Sequence, residues 1–147
     1  MQYVIVIPAY NEARFISGTL ESIASQTRLP LEVVVVDDNS TDDTANIISA
    51  FTERFPFIKL LKTTSTAVHL PGSKVIRAFT KGFDAITNTD FDIIVKLDAD
   101  LILLPDYFEK ILDTFSTDPQ TGMAGGFAYI ESNGEWILEN LTDRDHI

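Results

Sequence analysis

The fold is decided by residues 32–42, which read EVVVVDDNSTD. The four successive valines form an apolar run of strand-forming residues, typical of a strand buried on both faces of a parallel sheet. The run ends abruptly in small polar residues, which predict a loop. Two adjacent carboxylates, Asp37 and Asp38, therefore follow a buried strand directly. Ser40 or Thr41 is predicted to cap the helix that comes next.

Strand and helix patterns alternate on both sides of this stretch. Short apolar runs predict further strands at residues 3–7, 58–61 and 92–97. Apolar residues at helical spacing predict helices over residues 12–26, 45–55, 75–83 and 105–115. Asn11 is predicted to cap the first helix, and Pro105 to occupy the first position of the fourth. Near the end, Asn133-Gly134 predicts a hairpin turn between strands at residues 123–130 and 135–138.

This order predicts an α/β fold, a three-layer sandwich with a mostly parallel twisted sheet and helices on both faces, followed by the hairpin. In such sheets ligands bind beyond the carboxyl ends of the strands. Acidic pairs follow two of the predicted strands at that edge, so the edge is where we expect a functional site.

Composition and charge narrow the classes of function. The 147 residues include 11 basic and 22 acidic side chains, a formal charge of −11, and 45% are hydrophobic. That hydrophobic content supports a packed domain. The excess of acidic side chains argues against nucleic-acid binding and against a polybasic membrane anchor. It favours the binding of a cation, or of a ligand that is bound together with a cation. The chain has no cysteine, so it can form no disulfide or zinc–thiolate site. Neither a membrane-spanning run nor a signal peptide is visible.

Two motifs at the predicted strand ends have a structural and a functional interpretation each. After the first strand, Pro8 ends the ladder and Tyr10 offers an aromatic face to a base or sugar. The alternative is a tight strand-to-helix loop. After the second strand, one carboxylate of Asp37 and Asp38 can accept a hydrogen bond from a nucleobase N–H while the other orients the loop. The alternative is helix capping, and both interpretations stay open here.

The third motif is Asp98-Ala99-Asp100, which follows the fourth predicted strand. Acids two residues apart in an extended segment point the same way, and a divalent cation between them would offset their repulsion. Mg²⁺ or Mn²⁺ held there could also bind a diphosphate leaving group. The alternative is a solvated acidic loop. Lys74, near His69 and Pro71-Gly72, could face a phosphate or lie in an ordinary exposed loop.

Taken together, these motifs resemble the amino-terminal half of a family 2 glycosyltransferase of the GT-A fold, which is Rossmann-like. The resemblance covers about residues 3–130. Besides the three motifs it includes Ser25-Gln26-Thr27 at the end of the first helix, and Lys74 and Gly82 in the middle segment. It implies a metal-dependent, inverting transfer of a sugar from a nucleotide sugar, with UDP as the expected nucleotide, to an acceptor hydroxyl. Mn²⁺ or Mg²⁺ is the implied cofactor.

The resemblance also assigns roles to individual residues. Asp98 and Asp100 would bind the metal as the Asp-x-Asp motif, with Asp100 the more direct ligand. Asp38 would bind the base. The complete set implied for the nucleotide sugar is Pro8, Ala9, Tyr10, Glu12, Asp38, Lys74, Asp98 and Ala99.

The resemblance further implies that the chain is the donor-binding part of a longer domain, truncated at its carboxyl end. A catalytic base is expected beyond Ile147, since Glu131 and Glu135 are only positionally possible. The implied acceptor is a glycan or lipid-linked glycan of cell-envelope polysaccharide synthesis. The implied location is the cytoplasm or the inner face of the membrane.

Three alternatives accompany this interpretation. One is a nucleotidyltransferase, although the first loop lacks the glycine-rich or basic residues that usually grip a triphosphate. Another is a receiver-like regulatory domain, although its acid pair would follow the first strand, which here ends in Pro8. The last is a non-catalytic domain that binds sugar nucleotides.

Overall fold

A computed structural model describes residues 1–64 and 73–139 of the chain. The predicted loop with His69 and Pro71-Gly72 lies outside the described residues. The elements are β1 (Tyr3–Ala9), α1 (Ile16–Ala24), β2 (Glu32–Asp38), α2 (Thr44–Arg54), β3 (Ile58–Thr63), α3 (Ser73–Asp84), β4 (Ile93–Lys96), α4 (Tyr107–Thr117), β5 (Tyr129–Ser132) and β6 (Glu135–Leu138). In these two parts of the chain, no helix is both long enough and apolar enough to cross a membrane.

The first four strands form one parallel sheet in the order β3-β2-β1-β4. The two central strands, β1 and β2, are buried along nearly their whole length, which explains why they read as unbroken apolar runs. From β1 the chain adds β2 and then β3 on one side of the sheet, and afterwards returns to add β4 on the other side of β1. This confirms the predicted α/β fold with a mostly parallel sheet.

Helices cover both faces of the sheet. On one face, side chains from α1, α2 and α4 pack with the odd-numbered residues of β1 and β2, such as Ile5 and Val35. On the other face, Ala78 of α3 packs on Val6, Val34 and Val36. The alternation of side chains along each strand thus divides the apolar residues into two cores.

Helix α3 approaches the sheet through its smallest residues. A Cβ atom added to Gly82 would lie 2.7 Å from Cγ2 of Val36 and would also collide with Cγ1 of Val6. The predicted apolar positions of this helix pack less well than expected, since Val75 and Ile76 are exposed. The contact therefore depends on the absence of a side chain at Gly82.

The predicted starts of two helices are wrong. Helix α1 begins only at Ile16, and Pro105 lies two residues before the start of α4, whereas α2 begins at Thr44, one residue before its predicted start. Asn11, with φ of +55°, lies in a left-handed turn and caps no helix. Ser40 and Thr41 are likewise not caps, because all three residues bond across the loops described below.

The hairpin is confirmed, with a shorter first strand than predicted. Asn133 and Gly134 have φ values of +54° and +82°, as a two-residue hairpin turn of this type requires. Residues 123–128 are not a strand; in that segment the N–H of Gly126 donates to the Tyr107 hydroxyl at 3.1 Å. The hairpin forms its own two-stranded sheet.

Candidate functional site at the carboxyl edge of the sheet

The parallel register brings the ends of the strands together at one edge. Ala9 at the end of β1 is paired with Asp37, and Asp38 is paired with Thr63 at the end of β3. Asp98 follows β4 on the other side of β1. The three motifs singled out from the sequence therefore lie at a single edge, although they are up to about 90 residues apart in the chain.

The loops after β1 and β2 are held together by hydrogen bonds. The N–H of Asn11 donates to Oγ of Ser40 at 2.9 Å, and Oδ1 of Asn11 accepts from the N–H of Thr41 at 2.8 Å. The left-handed turn at Asn11 is what allows both its backbone and its side chain to face the second loop. This explains why Ser40 and Thr41 are not used as helix caps.

Two further hydrogen bonds extend this contact into the start of α2. The N–H of Glu12 donates to Oγ1 of Thr44 at 2.8 Å, and the N–H of Ala13 donates to Oδ2 of Asp42 at 3.1 Å. Hydrogen bonds from the hydroxyl of Thr44, which is the largest cause, and from the N–H groups of Thr44 and Ala13 lower the pKa of Asp42. The polar residues after β2 thus fix the position of the loop that carries Tyr10 and Glu12.

The two carboxylates after β2 have different surroundings. Asp37 is buried, and its Oδ1 accepts from the N–H of Ser40 at 3.2 Å, so it shapes the loop. Asp38 is partly buried, and its Oδ1 accepts from the Thr63 hydroxyl at 2.9 Å. Asp38 faces a small cleft, where it could also accept from a ligand.

This cleft, of about 100 Å³, lies between the ends of β2 and β3 and helix α3. Its lining combines one carboxylate with three basic side chains; the residues are Asp38, Thr63, Thr64, Lys74, Arg77, Ala78 and Lys81. The basic residues recur at positions i, i+3 and i+7 of α3, which places them on one helix face. An anionic ligand with a hydrogen-bond donor matches such a lining.

The acidic motif after β4 is anchored through its backbone. The N–H of Leu97 donates to the carbonyl of Val6 at 3.1 Å. The buried hydroxyl of Thr19 donates to the carbonyl of Ala99 at 2.8 Å. Ala99 is buried, while Asp98 and Asp100 are both exposed. The motif therefore presents its two carboxylates outward from a fixed backbone.

Charge is concentrated around these carboxylates. Partial burial raises the pKa of Glu12, and the charges of Asp100, Asp42 and Asp98 raise it further. Asp98 also has a cationic neighbour, since Nζ of Lys96 lies 2.6 Å from its Oδ1. Glu12, in the loop after β1, thus interacts electrostatically with both acids of the Asp-x-Asp motif.

Gln26 links the end of α1 to the segment after the acidic motif. Its Nε2 donates to the carbonyl of Leu104 at 2.7 Å, and its Oε1 accepts from the N–H of Phe108 at 3.1 Å. The N–H of Thr27 donates to the carbonyl of Pro105 at 2.8 Å. Gln26 and Thr27 thus have a physical role, since they hold the part of the connection from Asp100 that leads into α4.

The structure brings most of the expected residues to this edge. Strand β1 continues through Pro8, which was predicted to end it, as far as the buried Ala9, and Tyr10 follows with 59% of its surface exposed. Lys74 and Asp38 line the same cleft. Glu131 and Glu135 instead lie exposed on the separate hairpin.

Four residues of the site were missed in the sequence. Arg77 and Lys81 line the cleft, Thr63 binds Asp38, and Lys96 binds Asp98. The spacing of the basic residues on α3 is a signal that could have identified the first two. Thr63 carries no such signal, because its role arises only from the pairing of β2 with β3. Lys96 lies two residues before Asp98 and could have been identified from that spacing.

The side chains at this edge suit a metal site that a bound substrate completes, and not a site formed by protein ligands alone. Within residues 1–64 and 73–139, no three acidic or histidine side chains group closely enough to hold a metal ion. Mg²⁺, however, commonly takes only one or two carboxylates and completes its shell with substrate phosphates and water. Asp98 and Asp100 supply two such carboxylates.

The parallel sheet with its acidic loops at the carboxyl edge defines a GT-A glycosyltransferase fold, and solved structures of such enzymes match it. Within that class the family is clear, because residues 4–142 match the family described as Glycosyl transferase family 2. The chain belongs to this family. Membership sets aside the receiver-like alternative.

Two relatives show how much of a longer protein the match covers. The chain is 31% identical over 142 residues to an uncharacterized glycosyltransferase of Nostoc sp., covering 97% of this chain and 41% of that protein. It is 33% identical over 114 residues to a chondroitin synthase of Escherichia coli, covering 78% of this chain and 15% of that protein. The chain thus spans less than half the length of either.

Two solved structures illustrate the likeness in fold. A mannosyltransferase from Pyrobaculum calidifontis in complex with GDP-Man and Mn²⁺ matches with a TM-score of 0.67 at 28% identity, over 82% of this chain and 34% of that one. S. aureus TarS in complex with UDP-GlcNAc matches with a TM-score of 0.60 at 22% identity, over 80% and 32% respectively.

Proposed function

We propose that the protein transfers a hexosyl group from a nucleotide sugar to an acceptor hydroxyl, and that this chain binds the donor and a divalent cation. The observation that carries the proposal is the cleft in which Asp38 faces Lys74, Arg77 and Lys81. A nucleoside diphosphate carries both a base N–H for the carboxylate and negative oxygens for the basic side chains. The cleft lies at the same sheet edge as Asp98 and Asp100.

The nucleoside would bind across the ends of β1 and β2. Asp38 accepts from the base, and the segment Pro8 to Tyr10 forms the wall beside base and ribose, with the exposed ring of Tyr10 available for stacking. The Thr63 hydroxyl holds one oxygen of Asp38 at 2.9 Å and so restrains the carboxylate. A carboxylate held in this way selects bases with a ring N–H at the Watson–Crick edge, which uracil and guanine have and cytosine and adenine lack.

The diphosphate would lie between α3 and the acidic motif. The basic face of α3 supplies point charges on one side, and Lys74 is at its amino-terminal end. Asp98 and Asp100 would hold Mn²⁺ or Mg²⁺ on the other side, with the phosphate oxygens completing the shell. When bound, the cation would stabilise the negative charge of the leaving diphosphate. Glu12 adds negative charge to that region and so increases its attraction for a cation.

Relatives support a nucleotide-sugar donor and a role in glycan synthesis. The mannosyltransferase structure contains GDP-Man and Mn²⁺, and other matches include chondroitin and hyaluronan synthases. We infer a UDP-hexose donor and a growing glycan or lipid-linked glycan of the cell envelope as acceptor. An inverting transfer needs a general base that takes the proton of the acceptor hydroxyl. Within the described residues, Glu131 and Glu135 lie on the separate hairpin, so we assign the base to neither.

Nucleotide selectivity tests the role of Asp38. Calorimetry with Mn²⁺ should show UDP binding at least tenfold more tightly than CDP, because cytosine presents an acceptor where uracil presents an N–H. Asp38→Asn should remove most of this preference, since an amide can donate to cytosine. Asp113→Asn, on the exposed surface of α4, is the matched control and should keep the preference. Equal binding of UDP and CDP by the unmodified protein would contradict the proposal.

The reaction class needs a separate assay. We expect UDP to be released from a UDP-hexose when acceptor is present. We expect no UDP-hexose from UTP and a hexose 1-phosphate. The opposite pattern would identify a nucleotidyltransferase.

A further inference from the structure

Lys96 and Asp98 form an ion pair within the acidic motif. Lys96 is the last residue of β4, and its Nζ lies 2.6 Å from Oδ1 of Asp98. Lys96 is paired in register with Val6, whose side chain faces α3. The side chains of Lys96 and Val6 therefore lie on the same side of the sheet. The pair is therefore a consequence of strand alternation, which brings residues two apart onto one side.

The pair is exposed, which limits its strength. The side chains of Lys96 and Asp98 are 45% and 61% exposed. Exposed pairs of this kind are held by only a small free energy, since water competes for both charges. A divalent cation, with twice the charge, can therefore displace the ammonium group.

The surroundings of the pair are strongly acidic. Glu12 lies close enough to both Asp98 and Asp100 for its charge to interact with theirs. The ammonium group of Lys96 offsets part of this repulsion at one of the two carboxylates. Asp98 and Asp100 are thus not equivalent, because a cation from the protein already contacts Asp98.

We propose that Lys96 is a built-in counter-ion that competes with the divalent cation for Asp98 and thereby weakens the affinity of the donor site for metal. The inference rests on the proposed function, since it concerns the same metal site. It makes metal binding weaker in the absence of nucleotide, where the carboxylates are the main ligands.

Mn²⁺ binding without nucleotide tests the proposal directly. The signal of unbound Mn²⁺ in electron paramagnetic resonance gives the dissociation constant for the unmodified protein and for Lys96→Met. The matched control is Lys110→Met, which removes the same charge from an exposed pair with Asp106 of 2.7 Å. Both substitutions are repeated in an Asp98→Asn background, which forms a double-mutant cycle. Thermal unfolding of each variant shows whether the fold is kept.

We expect Lys96→Met to tighten Mn²⁺ binding about two- to fivefold, and Lys110→Met to change it less than twofold. In the Asp98→Asn background, Lys96→Met should have no larger effect than the control. An equal effect in both backgrounds would show a general charge effect and overturn the proposal, as would unchanged or weaker binding in Lys96→Met. If no variant binds Mn²⁺ with or without UDP, the metal site itself is refuted and the proposed function loses its metal.

Discussion

The hydroxyl of Thr19 donates a 2.8 Å hydrogen bond to the carbonyl oxygen of Ala99, the buried residue between the two carboxylates of the acidic motif. This bond joins helix α1 to the segment that carries Asp98 and Asp100. Because this bond restrains the backbone of Ala99, it also restrains the positions of the two acids on either side of it.

Thr19→Val should loosen the acidic motif. The substitution keeps the shape of the side chain but leaves a buried carbonyl unpaired, so we expect a loss of about 1–2 kcal/mol in the free energy of unfolding. Binding of Mn²⁺ in the presence of UDP should also weaken. Thr114→Val removes an exposed hydroxyl that donates to a carbonyl within α4, and serves as the control. Urea unfolding and calorimetry measure both effects, and equal losses in the two variants would contradict the assignment.

Gly82 and Gly18 should respond oppositely to alanine. Alanine favours a helix over glycine by about 1 kcal/mol. At Gly82, however, the new Cβ would collide with Val6 and Val36, so we expect a net destabilisation of about 1–3 kcal/mol. At Gly18 the new Cβ would meet Ile102 at an ordinary 3.5 Å, so the change should be neutral or stabilising. Urea unfolding of both variants decides the matter, and a stabilised Gly82→Ala would refute the close packing of α3.

Glu32 should make the fold sensitive to acid. Burial alone would raise its pKa, but hydrogen bonds from Lys59, Asn88 and Thr87 lower it overall. A lowered pKa means that the carboxylate stabilises the fold above its ordinary value of 4.5, and that this contribution is lost as the pH falls below it. Glu32→Gln should therefore cost about 2 kcal/mol at pH 7 and much less at pH 3.

Unfolding in urea at pH 7, 5 and 3 measures this dependence. Glu53→Gln on the exposed surface of α2 is the control and should change little at any of these values. A cost for Glu32→Gln that is the same at pH 7 and pH 3 would contradict the role of the carboxylate.

Glu12 should have the opposite pH dependence. Its pKa is raised by burial and by the charges of Asp100, Asp42 and Asp98, so its protonated form stabilises the fold and this contribution is lost as the pH rises above the raised value. Without ligand, Glu12→Gln should therefore raise the melting temperature at pH 7 but not at pH 4. With Mn²⁺ and UDP the same change should lower affinity. An unchanged melting temperature at pH 7 would show that the acids do not repel one another.

The sequence predicted the parts of the fold that local pattern determines. The valine run of β2, the order of elements and the Asn133-Gly134 turn are all found in the structure. The helix caps were predicted wrongly because a residue of the type that caps helices can bond either to its own helix or to a neighbouring loop. Asn11 and Ser40 could have capped their own helices, but the neighbouring loop, 29 residues away in the chain, offers them better hydrogen bonds.

The site was predictable to the extent that strands end in polar residues. Asp38, Asp98 and Asp100 were found in this way, since parallel strands bring their carboxyl ends together. Lys96 could have been predicted as a partner, since it lies only two residues before Asp98 in the chain. The partner of Asp38 was not predictable, because Thr63 is an ordinary residue until the register of the sheet places it beside Asp38. Helical spacing alone, in contrast, would have pointed to Arg77 and Lys81.

The most direct test of the central claim is the calorimetric binding of UDP to the protein with Mn²⁺, with excess chelator, and after Asp100→Asn. If the carboxyl edge binds a nucleoside diphosphate through a shared cation, UDP should bind with Mn²⁺, and affinity should fall at least tenfold both with chelator and in the variant. The same UDP affinity under all three conditions would contradict the account.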